Sequence, residues 1–359
     1  MKKKILALFT AAALMAAGVP AGVMAEGTSA DKATVNFSAG VPGAFDMVDE
    51  ELMVQGDLAE KYFPDVAINE PEGVTFADAI VAAHIKKYGE EKVKDYLDIS
   101  NGDWGTQMNK QFGNSNVGMY FINNTSENVM SVSTIIKDGD KLFAGAFKEK
   151  NAFFTYSFFK KEEYKAVAGK KFTVKLAAEG SKYDEKTYAS SYYEVIPGTA
   201  TVATVDKKTG KMTETQFKSN SKGQAIIKLN KAGEQYISAT GTADGGFGEN
   251  PIAGALAKIT VGLDKAKITK AKAKGKKAVL KWKKVTGAKK YEVYKGAKKK
   301  GKFKKVATVK KTTYTDKKIK KSKKNKNYFY KVRAIAKADG KTVKGKFSKT
   351  ARIKIKKAR

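Results

Sequence analysis

The sequence predicts a multi-domain, mainly β chain: an α+β unit followed by two β-sandwiches. Three observations carry this reading. Short runs alternating apolar and polar residues recur along most of the chain, broken by Gly, Asn and Asp turns. A strong helix signal stands early, at Thr75 to Gly89. Basic residues crowd into the last stretch, which marks it as a separate unit.

Residues 1–25 read as a secretory signal peptide. Lys2, Lys3 and Lys4 precede a short apolar run, and Val23 and Ala25 supply the small-residue cleavage pattern. The run is too short to span a bilayer, and Gly18 and Pro20 break it. No later stretch is long and apolar enough to span, so no transmembrane segment is expected in the mature chain. Cysteine is absent. That removes disulfides, thiol catalysis, cysteine zinc sites and lipid modification of an N-terminal cysteine, so stability must come from sizeable cores.

The first unit, residues 26–160, opens with an alternating strand at Ala33–Ser38 and a second at Phe45–Val54. Thr75 is a helix N-cap, and Asp78 completes a capping-box-like pair with it. Gly89 ends the helix. Strands are expected at Val117–Ile122, Val129–Ile136, Leu142–Phe147 and Ala152–Phe159, with Asp138-Gly139-Asp140 as a turn. The order of these elements, with Gly118, Tyr120 and Asn123 in one strand and Tyr156–Phe159 in the last, resembles the β-grasp-type C-terminal domain of transcobalamin-like proteins and of many secreted Firmicute proteins. Such relatives bind a corrinoid between two domains; the other half of that clamp has no counterpart here, and no cofactor is expected.

The second unit, residues 161–262, reads as a sandwich. Strands are expected at Phe172–Leu176, Ala200–Val205, Gly223–Leu229 and Tyr236–Ala239, with Ile259 and Val261 closing the unit. The pattern Gly223, Ala225, Ile227, Leu229 followed by Ala232-Gly233 and Tyr236 resembles bacterial immunoglobulin-like modules.

The third unit, residues 263–359, alternates through Ala278, Leu280 and Trp282. It continues through Tyr291–Tyr294, Phe303–Val309, Thr313–Asp316 and the series Tyr328, Tyr330, Val332, Ala334, with Phe347–Ser348 and Ile353/Ile355 for the last strand. These motifs resemble a fibronectin type III domain. The resemblance implies a buried Trp282 and makes Tyr328 the corner tyrosine whose hydroxyl ties to backbone.

Candidate catalytic groups are few. His84 is the chain's one histidine, sits within the helix, and reads as structural. No Gly-x-Ser-x-Gly elbow or phosphate-binding loop occurs. The cluster Asp244-Gly245-Gly246-Phe247-Gly248 reads as a flexible loop, and Asp49-Glu50-Glu51 as a solvated hairpin end. No enzymatic activity and no metal site are expected; a polysaccharide-acting enzyme or accessory module is the alternative.

From Val261 to Arg359 there are 40 Lys+Arg against Asp264, Glu292, Asp316 and Asp339, a net of +36. Totals of 70 and 36 leave 30 basic and 32 acidic residues elsewhere, a net of −2. A small domain stays dispersed with a net charge of about 2–8. The excess therefore points to an anionic partner. Arg333, Arg352 and Arg359 are the only arginines, and lysine suits diffuse attraction better than bidentate recognition. The candidate polyanion-binding residues are Lys298, Lys299, Lys300, Lys302, Lys304, Lys305, Lys317, Lys318, Lys320, Lys321, Lys323, Lys324 and Lys326. Without a recognition helix or stacking platform, no specific nucleic acid is expected. The expected partner is an anionic cell-wall polymer of the teichoic acid kind, or another extracellular polyanion such as a glycosaminoglycan. The chain is then extracellular and cell-wall associated, with an unknown protein or glycan partner for the first unit. Trp104, Tyr120 and Asn123 are its candidate contacts; Trp104, in a turn-rich loop, also fits a packing role.

Overall fold

The structure, a computed structural model, describes residues 32–68, 73–102, 105–127, 129, 131–150, 152–187, 189–317, 319 and 326–356. The proposed signal peptide lies outside these. Among the described residues, no helix is long and apolar enough to cross a membrane.

The first unit begins with the hairpin β1 (Lys32–Val41) and β2 (Ala44–Gln55). Helices α1 (Leu58–Tyr62), α2 (Phe76–Tyr88) and α3 (Val93–Tyr96) follow, then β3 (Asp98–Gly102), β4 (Gly105–Lys110), β5 (Val117–Ile122) and β6 (Lys141–Ala146). The main sheet runs β2-β1-β6-β5, with β1 and β6 parallel and the outer pairs antiparallel. Alternation on β1 sends Val35 and Phe37 onto α2, where Phe76 and Ile80 meet them in a closed core. The α2 capping box is present. Asp78 accepts from the Thr75 backbone N–H at 2.8 Å and hydroxyl at 2.7 Å, and the Asp78 N–H donates back to Thr75 Oγ1. The other Asp78 oxygen accepts from the Ala59 N–H at 2.7 Å, which fastens α1 to α2.

Among the described residues, the strand expected at Val129–Ile136 is not formed. Its carbonyls serve the start of α2 instead: Phe76 N–H donates to Thr134 O and Ala77 N–H to Val132 O. A helix start leaves such N–H groups without intrahelical partners, so this segment is spent as a cap.

The second unit comprises β7 (Thr155–Phe159), β8 (Glu163–Val167), β9 (Lys171–Asp184), β10 (Ala189–Val195), β11 (Thr201–Val205) and β12 (Met212–Lys218). It continues with β13 (Gln224–Lys228), β14 (Gly233–Thr240), β15 (Thr242–Asp244), β16 (Glu249–Ala253) and β17 (Ala257–Gly262). One sheet runs β10-β9-β7-β16-β15 with β13 also on β9; the facing sheet runs β12-β11-β14-β17-β8. Leu176, Ile227, Ile237 and Ile259 fill the space between them. Strand β7, read from sequence as the last strand of the first unit, pairs with β9 and β16 of this sandwich. The glycine cluster after Asp244 is an ordered turn: Asp244 Oδ1 accepts from the Gly246 and Gly248 N–H groups at 2.8 and 3.1 Å.

The third unit comprises β18 (Ile268–Lys274), β19 (Lys277–Trp282), β20 (Lys290–Gly296), β21 (Phe303–Val309), β22 (Thr313–Asp316), β23 (Lys326–Ala338), β24 (Lys341–Lys344) and β25 (Ala351–Ile355). A β18-β19-β22 sheet faces a β21-β20-β23 sheet whose last strand also pairs with β24 and β25. Trp282 is buried against Tyr291, ring centroids 5.4 Å apart, above Leu280, Val293 and Val332. Phe347–Ser348 belongs to no strand, although Ser348 Oγ accepts from the Val332 N–H at 3.0 Å. The tyrosine hydroxyl held in the buried end of this sandwich is that of Tyr330, which donates to Asp316 at 2.9 Å.

A fourth apolar cluster joins the first two units. Phe45, Val48, Phe121 and Phe143 leave the sheet face opposite α2 and meet Phe154, Tyr156, Val205 and Tyr236. Phe121 and Tyr156 stack at 3.9 Å. The Phe45 N–H donates to Gly210 O across the joint.

Two expectations follow. Asp78→Ala removes the acceptor for three buried donors and should lower stability by about 1–3 kcal/mol, read by denaturant unfolding. His84 is fully buried: its Nε2 accepts from the Phe112 N–H at 2.8 Å and its Nδ1 donates to Ile80 O at 2.8 Å. Burial pushes its pKa down to about 4 from 6.5. The unfolded chain therefore binds the proton first. The imidazole's contribution to stability is complete above pH 6.5 and falls by about 3 kcal/mol as the pH drops to about 4. With one histidine in the chain, its NMR resonance is unambiguous, and it should show no titration between pH 6 and 7.

Candidate functional site

The third unit has two unlike ends. At one end, Gly287 lies against Asn230 and Ala168, and Gly233 against Ala338, so close that a Cβ on Gly233 would stand 2.2 Å from the Ala338 Cβ. Lys170 pairs with Asp264 there at 3.5 Å. This end abuts the second unit.

Strand register fixes what occupies the other end. Lys274 pairs with Lys277, Ala278 with Asp316, Gly296 with Phe329, and Lys326 with Ile355. The β18–β19 turn, the β20–β21 turn, the start of β23 and the finish of β25 therefore converge on one pole. Lys298, Lys299, Lys300 and Lys302 form its β20–β21 turn and are exposed. Lys304, on the adjoining strand, and Lys317 and Lys326, flanking the next connection, are exposed too. Lys318, Lys320, Lys321, Lys323 and Lys324 lie outside the described residues. Lys274, Lys276 and Lys277 on the β18–β19 turn, with Lys354 and Lys356 at the chain's far side, extend the same pole. Sequence reading passed over these five because their grouping depends on register, not on proximity along the chain.

Lys305 differs from its neighbours. It is exposed but reaches Glu292 at 3.3 Å on the sheet face. Arg333 meets the same carboxylate at 2.7 Å and lies over the Tyr294 and Phe347 rings. Burial pushes the Glu292 carboxyl up, but hydrogen bonds from Arg333, Tyr294 and Lys305 outweigh it and hold the pKa below the usual carboxylate range.

The placement of the acids sharpens the polarity. Asp264 is at the joint, Glu292 is engaged mid-sheet, and Asp339 is in the β23–β24 turn, beside Ala338 at the joint end. Asp316 does lie at the pole, yet it is buried, ion-paired with Lys295 at 2.8 Å and bonded to Tyr330. Burial, then that hydrogen bond and the Asp316 charge, push the Tyr330 hydroxyl well above its ordinary pKa. Among the described residues of this unit, no exposed carboxylate interrupts the lysines of the pole.

Two of the three candidates in the first unit, Tyr120 and Asn123, lie among the described residues. Trp104 lies outside the described residues. Tyr120 is half-buried against the core: its ring meets Phe76 at 5.2 Å, its hydroxyl is enclosed without a partner, and burial pushes that hydroxyl's pKa far up. Asn123 has both ends of its amide engaged, donating to Asp140 Oδ1 at 2.7 Å and accepting from the Lys141 N–H at 3.0 Å. It ties one turn to the next. A cavity of about 130 Å³ sits where the first two units meet. Its carboxylates have partners: Asp49 accepts from Asn36 and Tyr236, Glu162 pairs with Lys141, and Glu163 lies 3.4 Å from Lys258.

No family model matches the chain, and no curated protein matches it. Solved structures similar to it are fibronectin type III and immunoglobulin-like sandwiches. A fibronectin type III-like protein from Clostridium thermocellum is 25% identical, covering 27% of this chain and 92% of that one, with a TM-score of 0.21. A two-domain fibronectin type III segment of chicken tenascin is 14% identical over 53% of this chain and 94% of that one, with a TM-score of 0.32. The N-terminal four immunoglobulin domains of a Dscam1 isoform are 10% identical over 92% of this chain and 73% of that one, with a TM-score of 0.26. The chain is mainly β.

Proposed function

We propose that this is a secreted, non-enzymatic surface protein held at an anionic extracellular polymer through the lysine pole of its third unit. The observation that carries the reading is the segregation of charge: exposed lysines from separate loops converge on the end of the sandwich that faces away from the rest of the molecule, with no exposed acid among them. Carrying this charge costs self-repulsion, which a polyanion offsets. Nearly pure lysine favours a flexible phosphate-bearing polymer, teichoic acid-like in chemistry, over recognition of one defined group.

We read the first unit as β-grasp-like, on the support of its β2-β1-β6-β5 order with parallel central strands under one helix. The third unit we read as fibronectin type III and the second as immunoglobulin-like. The first two units, locked by their shared aromatic cluster, form an arm directed outward for a protein or glycan partner.

Binding of the full chain to purified Gram-positive walls, with and without teichoic acid, tests the reading over a salt series. Affinity should fall steeply with salt and with removal of the polymer. Replacing Lys298, Lys299 and Lys300 together by Gln should lower the slope of log K against log salt by about 2–3, at about 0.7–0.9 per lost phosphate contact. Salt-independent binding would sink the proposal.

A further inference from the structure

The sandwich of the second unit has an edge unlike the rest of the surface. Strand β10 ends its sheet: it pairs with β9 without any register shift, from Ala189 opposite Asp184 to Val195 opposite Ala178, and no described strand pairs with its outer side. Beyond Ala178 the β9–β10 pair outruns β7, whose last register partner on that side is Ser157. What remains is a two-stranded ribbon backed by the Gly245–Gly246 turn, which gives Gly245 O to the Ser181 N–H. Tyr183 is 51% exposed and Tyr193 45% exposed on this ribbon.

Natural edges are protected by lysines, prolines, bulges or short length. This one has none of them. It reads Ala189-Ser190-Ser191-Tyr192-Tyr193-Glu194-Val195, without a basic residue, in a chain carrying 70 Lys+Arg among 359 residues. Its one charge, Glu194, is paired with Lys160. An unprotected strand whose one charge is already paired, and which carries Tyr192, Tyr193 and Val195, is a template for another strand.

We propose that the occupant is β10 of a second copy of this chain, paired antiparallel about a two-fold axis at Tyr192. That register is self-complementary: Tyr193 faces the partner's Ser191, Glu194 faces the partner's Ser190, and no like charges stand opposed. The Tyr193 ring lies over Gly180, its register partner on β9, so it leans inward and leaves the outer side of β10 open to a second strand. Electrostatics allows the pairing as well. The excess charge belongs to the third unit, and the part of the chain holding β10 is near neutral, so repulsion between poles more than about 10 Å apart is screened at 0.1 M salt.

The absence of cysteine makes the test direct. Sedimentation of the full chain over a concentration series should show a monomer–dimer equilibrium. Tyr192→Lys sets two ammonium groups face to face and should weaken dimerisation at least about ten-fold, with the melting temperature unchanged when read at concentrations where both forms are monomeric, while Tyr192→Phe retains the dimer. Under mild oxidation Tyr192→Cys should form a disulfide-linked dimer, because only residue 192 faces its own copy; Ser190→Cys should not. A monomer at every concentration, a dimer indifferent to Tyr192→Lys, or equal cross-linking at 190 and 192 would overturn the proposal. None of these readouts depends on wall binding.

Discussion

The aromatic layer between the first two units is the contact on which the rest of the molecule depends. A sheet with a helix on one side normally turns its other face to water. Here that face carries Phe45, Phe121 and Phe143, and the second unit covers them. Strand β6 shows the result: five of its six residues are buried, since Leu142 and Ala144 face the helix and Phe143 faces the sandwich. Each large aromatic removes about 150–250 Å² from water. Polar groups ring the layer, with Tyr236 donating to Asp49 and Ser126 donating its N–H to Glu179. The two units keep their own cores and are joined through this aromatic cluster.

Beside that pair, the third unit distributes its charge differently. Its interior is an ordinary sandwich core around Trp282 and Tyr330, and its surface holds almost all of the net charge. Carboxylates are kept where they offset a specific cation: Asp316 under Lys295, Glu292 under Arg333 and Lys305, Asp264 opposite Lys170. The acids that hold the sandwich together are thereby kept from the exposed lysines, Asp316 included, because at the pole it is buried and paired with Lys295.

Local chemistry made much of this legible. The Thr75–Asp78 capping box, the stop at Gly89 and the alternation through Leu280, Trp282, Tyr330 and Val332 each depend on spacing along a few residues, and each is present in the structure. What escaped reading depends on partners distant in the chain. Nothing within Thr155–Phe159 reveals that it pairs with β9 and β16 and not with β6. The apolar residues around Val132 look like a strand, yet their backbone caps a helix more than fifty residues earlier. Tyr120 looks like an available aromatic because its strand alternates, but its ring turns into the helix core. The pole itself was half visible: the lysine runs stand out, and their convergence with Lys274, Lys276 and Lys277 emerges only from the register.

The strands of the third unit run from the glycine-lined joint at one end to the lysine pole at the other. A load applied between these two ends would run along the strands. Ladder hydrogen bonds lie across the strands, so such a pull meets them in shear, many at once, instead of peeling them one by one. The strand direction that gathers the lysines at one end thus also sets the axis along which the sandwich would best resist a pull, with no disulfide to help it.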